Sequence, residues 1–301
     1  MIRHFLRIND LSPLATERLM QRAAELKVRR AKHELNHTLA GRHLVCLFEK
    51  NSTRTRLSFE AAMLGLGGTV SSISSTDSQI SRGETIEDTA RVVSRYSDVI
   101  MLRTFGDDRL QAFANASRVP VINGLSEGGH PAQVLADVFT IRERLGSIAG
   151  KTVTWVGDGA CNMALSFAEA ADYFGFDFRI GAPKGYQPAP KALESNARVT
   201  VTDDVEAAVR GADVVVTDTW TSMGFEQEAK ARIAALGAYQ LNAGLLAKAS
   251  PEAIVLHCLP AHRGEEITDE VLDGPQSAAW DEAENRLYVQ QALLEAVLGV
   301  G

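Results

Sequence analysis

The sequence predicts an α/β protein of two similar domains, each a parallel sheet flanked by helices, with the functional site in the cleft between them. Three observations carry that expectation. Apolar strand-like runs alternate with helical patterns from residue 43 onward, as in parallel sheets with covered faces. At 301 residues the chain exceeds the usual single domain. The segments YSDVIMLRT and GADVVVTDT echo each other, with Asp-Val and an apolar run before a polar tip. They end in Arg103 and Asp218, at matching strand ends of the two halves.

The elements follow in order. Residues 12–32 place Leu14, Leu19, Ala23 and Leu26 at helical spacing behind Ser12 and Pro13, a cap and first-turn pair. HLVCLFEK is a short buried strand, and the hydroxyl-rich stretch after it opens a helix that the glycines of GLGG stop. IEDTARVVSRY is a helix, DVIMLRT a strand, RLQAFANAS a helix and VPVING a strand. HPAQVLADVFTIRERLG is a long helix ending at Gly146. The second half repeats the scheme. KTVTWVGDG, DFRIGAP, DVVVTDTW and EAIVLHCLP are strands, and NMALSFAEAADYFG and DVEAAVRGA are helices. ENRLYVQQALLEAVLG closes the chain as an amphipathic helix with no strand after it. The boundary falls in the helix near residues 133–148, giving domains 1–140 and 141–301, with the last helix, about 284–299, packing back on the first domain.

Composition excludes several roles. A net charge of −7 argues against a nucleic-acid or anionic-membrane partner, so any basic site is local. No run has the length of a membrane-spanning helix, and the first residues lack a secretory apolar stretch. Cys46, Cys161 and Cys258 are scattered and odd in number, which speaks against a disulfide framework. A cytoplasmic protein is expected.

The chemistry gathers at strand ends, where open parallel sheets bind ligands. By that rule Arg103, His130, Asp158, Asp218, His257 and Cys258 line the cleft. FEKNSTRTRLSFE sets three hydroxyl residues and two arginines at a strand-to-helix joint, where free backbone N–H groups and the helix dipole attract an anion. Ser52, Thr53 and Thr55 add hydroxyl donors and Arg54 a fork for phosphate oxygens. Arg54 and Arg56 are two residues apart and face different ways on a helix, so Arg54 is assigned the anion and Arg56 a structural ion pair. The bland alternative, a capped surface helix with solvated arginines, loses to the strand-end position. The stretch lacks the glycine spacing and lysine of a P-loop. VGDGACNM has Gly157 and Gly159 but Asn162 in place of a third glycine, which is weak evidence for a dinucleotide. His130 before Pro131 could merely cap a helix, and a buried Cys258 could be inert. A zinc site of His257, Cys258 and His262 lacks a fourth ligand at suitable spacing.

FEKNSTRTRLSFE, HPAQVLAD, DTWTSMG and HCLPAHRGEEI occur in this order with spacings that resemble those of the ornithine carbamoyltransferase family, and the similarity extends over essentially the whole chain. The phosphate motif and H-P-x-Q are shared with the aspartate enzymes of the superfamily, whereas SMG and HCLP discriminate for ornithine. The loop near residues 79–84, SQISRGE, also lacks the lysine of the aspartate enzymes. The resemblance implies carbamoyl transfer from carbamoyl phosphate to the δ-amine of L-ornithine, giving citrulline and phosphate without metal or organic cofactor. It implies that Ser52, Thr53, Arg54 and Thr55, helped by Arg103, hold the phosphate. His130 and Gln133, with Thr55 and Arg103, would hold the carbamoyl end, and Cys258, Leu259 and Arg286 would also touch carbamoyl phosphate. Asn162, Asp218, Ser222 and Met223 match ornithine-binding positions, and Arg103, His130, Asp218 and Cys258 are the implied catalytic set. Gln79 resembles a glutamine that reaches into a neighbouring subunit's site, implying a homotrimer with shared active sites. Two positions depart from the family pattern, Ala132 where Cys or Thr is common and Cys161 where Asn is common. The first leaves His130 and Gln133 in place; the second removes one amide near the ornithine head. Gly224 would let the SMG loop hinge over ornithine after carbamoyl phosphate binds. Transfer to another amine, a silent ligand-binding paralogue and an NAD-dependent oxidoreductase are the competing expectations.

Overall fold

The structure, a computed structural model, describes residues 3–74, 79–193, 196–221 and 228–300, with Ser81 described by its backbone alone. The chain divides into two compact units, one of Met1–Leu135 with Glu284–Gly301 and the other of Ala136–Ala283.

In the first unit, α1 (Pro13–Ala31) starts as its sequence directs, the Ser12 hydroxyl accepting the Ala15 N–H at 3.2 Å with Pro13 in the first turn. Four parallel strands, β1 (His43–Phe48), β2 (Thr69–Ser74), β3 (Val99–Arg103) and β4 (Val121–Leu125), lie in the order β2-β1-β3-β4. Helices α2 (Thr53–Gly65), α3 (Ile86–Val93) and α4 (Asp107–Ala116) connect them. The middle strands β1 and β3 are buried along most of their length, which explains their unbroken apolar runs. The register of β3 against β4 slips at its end. Leu102 faces Asn123 but Arg103 faces Leu125, so Gly124 is an extra residue in β4 beside Arg103.

The second unit holds five parallel strands in the order β7-β6-β5-β8-β9, namely β5 (Thr152–Val156), β6 (Asp177–Gly181), β7 (Val199–Thr202), β8 (Val214–Thr217) and β9 (Ile254–His257). They are connected by α6 (Asn162–Phe174), α7 (Val205–Val209), α8 (Ala229–Leu236) and α9 (Ala243–Leu246); α10 (Asp269–Leu272) follows β9. The chain passes from one unit to the other within α5 (Pro131–Leu145) and returns within α11 (Ala279–Val297). Phe167 stacks on Phe178 at 5.8 Å between centroids, fixing α6 over the sheet.

Two strands departed from expectation. β2 and β7, with sequences TVSSIS and VTVT, are edge strands whose exposed or half-exposed hydroxyl residues mask the apolar run on which strand recognition depends. The last helix is also not amphipathic. From Asn285 to Val297 no residue of α11 is exposed, and its buried Asn285, Arg286 and Glu295 are paired rather than solvated. Glu295 takes two hydrogen bonds from Arg22, at 2.7 and 3.0 Å, and one from Thr38 at 2.6 Å. Asn285 accepts from Lys27 at 2.8 Å. These pairs tie α11 to the start of the chain, and burying each partner without the other would leave a costly unpaired group. Among the described residues no helix is long and apolar enough to cross a membrane.

Candidate active site

Each sheet has one point where chain order reverses, and ligands bind outside the carboxyl ends of strands at such points. In the first unit it lies between β1 and β3, and in the second between β5 and β8. The segments leaving those four strands carry Ser52–Thr55, Arg103, Asp158 with Asn162, and Asp218, whereas His130 follows β4 and Cys258 follows β9, each the next strand outward.

In the first unit, β1 leads into the opening turn of α2. Ser52 is its N-cap, its hydroxyl accepting the Thr55 N–H at 3.2 Å. Thr53 and Arg54 follow on the exposed and half-exposed face, and Arg54 has no side-chain partner among the described residues. Arg56 donates to Glu60 at 2.9 Å, the structural pair assigned to it from helix geometry. Thr55 is buried at 1% exposure and accepts from an Arg286 nitrogen at 2.8 Å. A second Arg286 nitrogen donates to Gln133 at 2.6 Å. The guanidinium thus joins α2, the first turn of α5 and the last helix at one buried point.

Arg103 ends β3, across the reversal from α2. His130 precedes α5 and is 4% exposed. Burial first, and then the positive charges of Arg286 and Arg103, hold its pKa well below the ordinary value for histidine. At neutral pH its imidazole is therefore uncharged, with no charge to repel the arginines. Gln79 begins a short 3₁₀ turn, Gln79–Arg82, and is exposed; its side-chain oxygen accepts from Arg82 at 3.3 Å.

In the second unit the strand ends carry the opposite chemistry. Asp218 follows β8, with one carboxylate oxygen accepting the Thr219 N–H at 2.7 Å. Burial raises its pKa, against the opposing pull of His257 and of a hydrogen bond from the Cys258 thiol. The same burial, with the Asp218 charge, pushes the Cys258 thiol well up, so it stays protonated and donates to the carboxylate. Cys161 caps α6 one residue before Asn162, and burial followed by the charges of Asp218 and Asp158 raises it too.

Leu259 is held at φ +58°, with its N–H bonded to Nδ1 of His257 at 2.9 Å. Nδ1 is therefore an acceptor, and Nε2 carries the proton that it gives to Glu266 at 3.1 Å. Asp218, His257 and Cys258 bring ligand atoms within 4.8 Å of one another, as do His262, Glu265 and Glu266. In the first group both nitrogens of His257 are already engaged, which makes it a poor metal ligand set. His262 instead contacts the Thr219 hydroxyl at 3.1 Å.

Arg232 on α8 is a group that sequence reasoning missed. It is buried, pairs with Asp158 after β5, donates to the Trp220 carbonyl and stacks over Tyr186 with 5.0 Å to the ring centroid. It joins the segments leaving β5 and β8. Nothing in its local sequence marks it, because its partners lie 12 and 74 positions away. Ser222, Met223 and the suggested hinge at Gly224 lie outside the described residues.

The first unit thus presents hydroxyls, arginines and a neutral histidine at one reversal point, suited to a phosphate bearing a polarisable carbonyl. The second presents a carboxylate and thiols, suited to a cationic amine. The first set is the chemistry that a group transferase uses for an anionic donor, and the second the chemistry that it uses for an amine acceptor. Family models agree with that class. The aspartate/ornithine carbamoyltransferase carbamoyl-P binding domain matches residues 3–143, and the Asp/Orn binding domain of the same family matches residues 149–297. The chain belongs to the aspartate/ornithine carbamoyltransferase family.

It is 52% identical over 299 residues to an ornithine carbamoyltransferase of Cupriavidus pinatubonensis, covering 99% of this chain and 97% of the relative. Identity and coverage are the same for one from Chromobacterium violaceum. Among solved structures, an ornithine carbamoyltransferase from Pyrococcus furiosus superposes with a TM-score of 0.93 at 42% identity, over 99% of this chain and 97% of that one. One from Burkholderia thailandensis gives 0.91 at 46% identity, over 99% of both chains.

Proposed function

We propose that the protein transfers the carbamoyl group of carbamoyl phosphate to the δ-amine of L-ornithine, releasing L-citrulline and phosphate. The observation that carries this is the uncharged, buried His130 beside Arg103 and Arg286, at the reversal point that also opens onto Ser52–Thr55. A phosphate alone would need only the helix start and the arginines. A neutral imidazole adds a donor for a carbonyl oxygen, the second feature that distinguishes carbamoyl phosphate from inorganic phosphate.

In this mechanism Ser52, Thr53, Arg54 and Thr55 bind the phosphate through hydroxyls, backbone N–H groups and charge. Gln79 of a neighbouring protomer completes that set in a homotrimer. Arg286 holds Thr55 and Gln133 in place, and Gln133 orients the carbamoyl amide. Arg103, His130 and Thr55 donate to the carbonyl oxygen, which gains negative charge as the amine attacks. Removing one such donor typically costs about 3 to 4 kcal/mol of barrier. The carbon–nitrogen bond to ornithine forms, the bond from carbon to the phosphate oxygen breaks, and the amine loses a proton as phosphate leaves.

Asp218, Asn162, Ser222 and Met223 bind the amino acid, the carboxylate facing its α-ammonium. Cys258 and Leu259 contribute beside them, the thiol fixing the Asp218 carboxylate. Holding both substrates in attack geometry can supply roughly 7 to 11 kcal/mol of the barrier reduction. The physiological setting proposed is cytoplasmic arginine synthesis.

The test is product formation from carbamoyl phosphate with ornithine, acetylornithine, putrescine and aspartate compared side by side. Turnover with ornithine alone is expected. Turnover with another amine would keep the phosphate half and overturn the assignment of Asp218 and its neighbours to ornithine. No turnover, from folded protein that binds carbamoyl phosphate, would overturn the transfer.

A further inference from the structure

Arg103 and His130 sit on different elements, yet one buried side chain reaches the backbone beside both. Asn123 on β4 is 0% exposed and spends its whole amide on main-chain and loop partners. Its Oδ1 accepts the Leu125 N–H at 2.9 Å. Its Nδ2 donates to the Leu6 carbonyl at 3.1 Å and the Ser126 hydroxyl at 3.2 Å, and lies 3.5 Å from the Gly129 carbonyl.

The first bond closes the bulge. Gly124 is the extra residue of β4, and a Cβ there would lie 2.1 Å from the Met101 sulfur, so any larger residue would have to displace the Met101 side chain on β3. Leu125 is left at φ +152°, a value seldom adopted by a residue with a side chain, and its carbonyl accepts the Thr104 N–H at 3.0 Å. That bond fixes the residue following Arg103. The remaining bonds close the turn before His130, since Ser126 N–H also donates to the Gly129 carbonyl at 2.9 Å. Arg7 supports the same turn from outside, donating to the Gly128 carbonyl at 3.0 Å and to Asp107 at 2.9 Å.

We infer that Asn123 is the positioning residue for Arg103 and His130, setting the distance between two donors that no element holds in common. The amide suits the task because the site needs one acceptor and two donors from a single side chain. Aspartate would supply the acceptor for Leu125 but face the Leu6 and Gly129 carbonyls with negative charge, and leucine would take away the partners of the Leu125 N–H and the Leu6 carbonyl. Because Arg103 and His130 polarise a carbamoyl oxygen only if the proposed transfer is the reaction, Asn123 depends on that function.

The experiment compares wild type, Asn123→Ala, Asn123→Asp and Phe113→Leu, a core change within the same unit whose side chain is fully buried. Steady-state kinetics are taken at a temperature where every variant is folded, as checked by thermal melting. Asn123→Ala is expected to lower kcat on the order of 100-fold, the scale of a donor displaced by about 1 Å, and to leave the KM for ornithine within twofold. Asn123→Asp is expected to recover less than a tenth of the loss, and Phe113→Leu to keep wild-type kcat despite a lowered melting temperature. Wild-type kcat in Asn123→Ala, or an equal fall in Phe113→Leu, would overturn the inference while leaving the transfer intact. Absence of turnover by the wild-type protein would overturn the transfer and this inference with it. Should Asn123→Ala not fold, Asn123→Asp carries the same comparison with Phe113→Leu.

Discussion

The two units share a way of folding and oppose each other in charge. Both build a parallel sheet whose strand order reverses once, and both place polar groups where the reversal opens. In the first unit the neighbours that shift His130 are arginines, and they push it toward neutrality. In the second the charges that raise the Cys161 and Cys258 thiols are carboxylates. The topology thus decides where a ligand goes, and the few residues after each strand decide its sign. The fastening differs as well. Arg286 binds the first site's elements by charged hydrogen bonds between side chains, whereas in the second His257 and Asp218 each accept a backbone N–H.

The sharpest way to break that contrast is to remove a positive donor from the first site. Arg103→Leu should lower kcat about 100- to 1,000-fold, as loss of an oxyanion donor does elsewhere, with ornithine KM little changed in steady-state assays. A comparable rise in ornithine KM would mean that the two charge sets do not serve separate substrates. Next in size is Asp218→Asn. Loss of a charged hydrogen bond worth about 1.5 to 3 kcal/mol should raise ornithine KM roughly 10- to 150-fold, while carbamoyl phosphate affinity by calorimetry stays as in wild type.

A smaller effect concerns pH. Native His130 resists protonation while the unfolded chain takes up a proton near the ordinary 6.5. Stability is therefore full above that value and falls as the pH drops below it, because the unfolded state then binds more protons. Urea midpoints measured at pH 7 and pH 5 should converge in His130→Gln relative to wild type. An unchanged gap would show that His130 is not held neutral. The smallest effect separates the two arginines of one helix. Arg56→Ala removes a surface pair with Glu60 and should cost only about 0.3 to 0.5 kcal/mol by thermal melting, with carbamoyl phosphate affinity unaltered. A loss of affinity there would undo the division of roles between Arg54 and Arg56.

Much of this was legible in the residues. The runs HLVCLF and VIMLR are apolar because both faces of β1 and β3 are covered, and Ser52 announces the helix that it caps. The family could be recognised because its strand-end motifs are short and contiguous. What escaped was of two kinds. β2 and β7 lie at sheet edges, where partial exposure relaxes the demand for apolar residues. The supporting contacts of Arg232, Asn123 and Glu266 join positions up to 117 residues apart, and no local pattern encodes such pairs. The burial of α11 was hidden for a related reason. Its Asn285, Arg286 and Glu295 look like a solvated face until their partners on α1 and α2 are in place.

That last helix has a consequence for how the protein comes into being. The first unit is assembled from the beginning and the end of the chain, with the whole second unit synthesised between them. A ribosome adding about 5 to 20 residues per second delivers Arg286 roughly 8 to 30 s after Leu135. Throughout that interval Thr55 and Gln133 wait without the guanidinium that joins them, and the nascent first unit lacks its final layer. Full activity can arise only after α11 has been made, so a chain that stops before Glu284 would forfeit its oldest half rather than its newest.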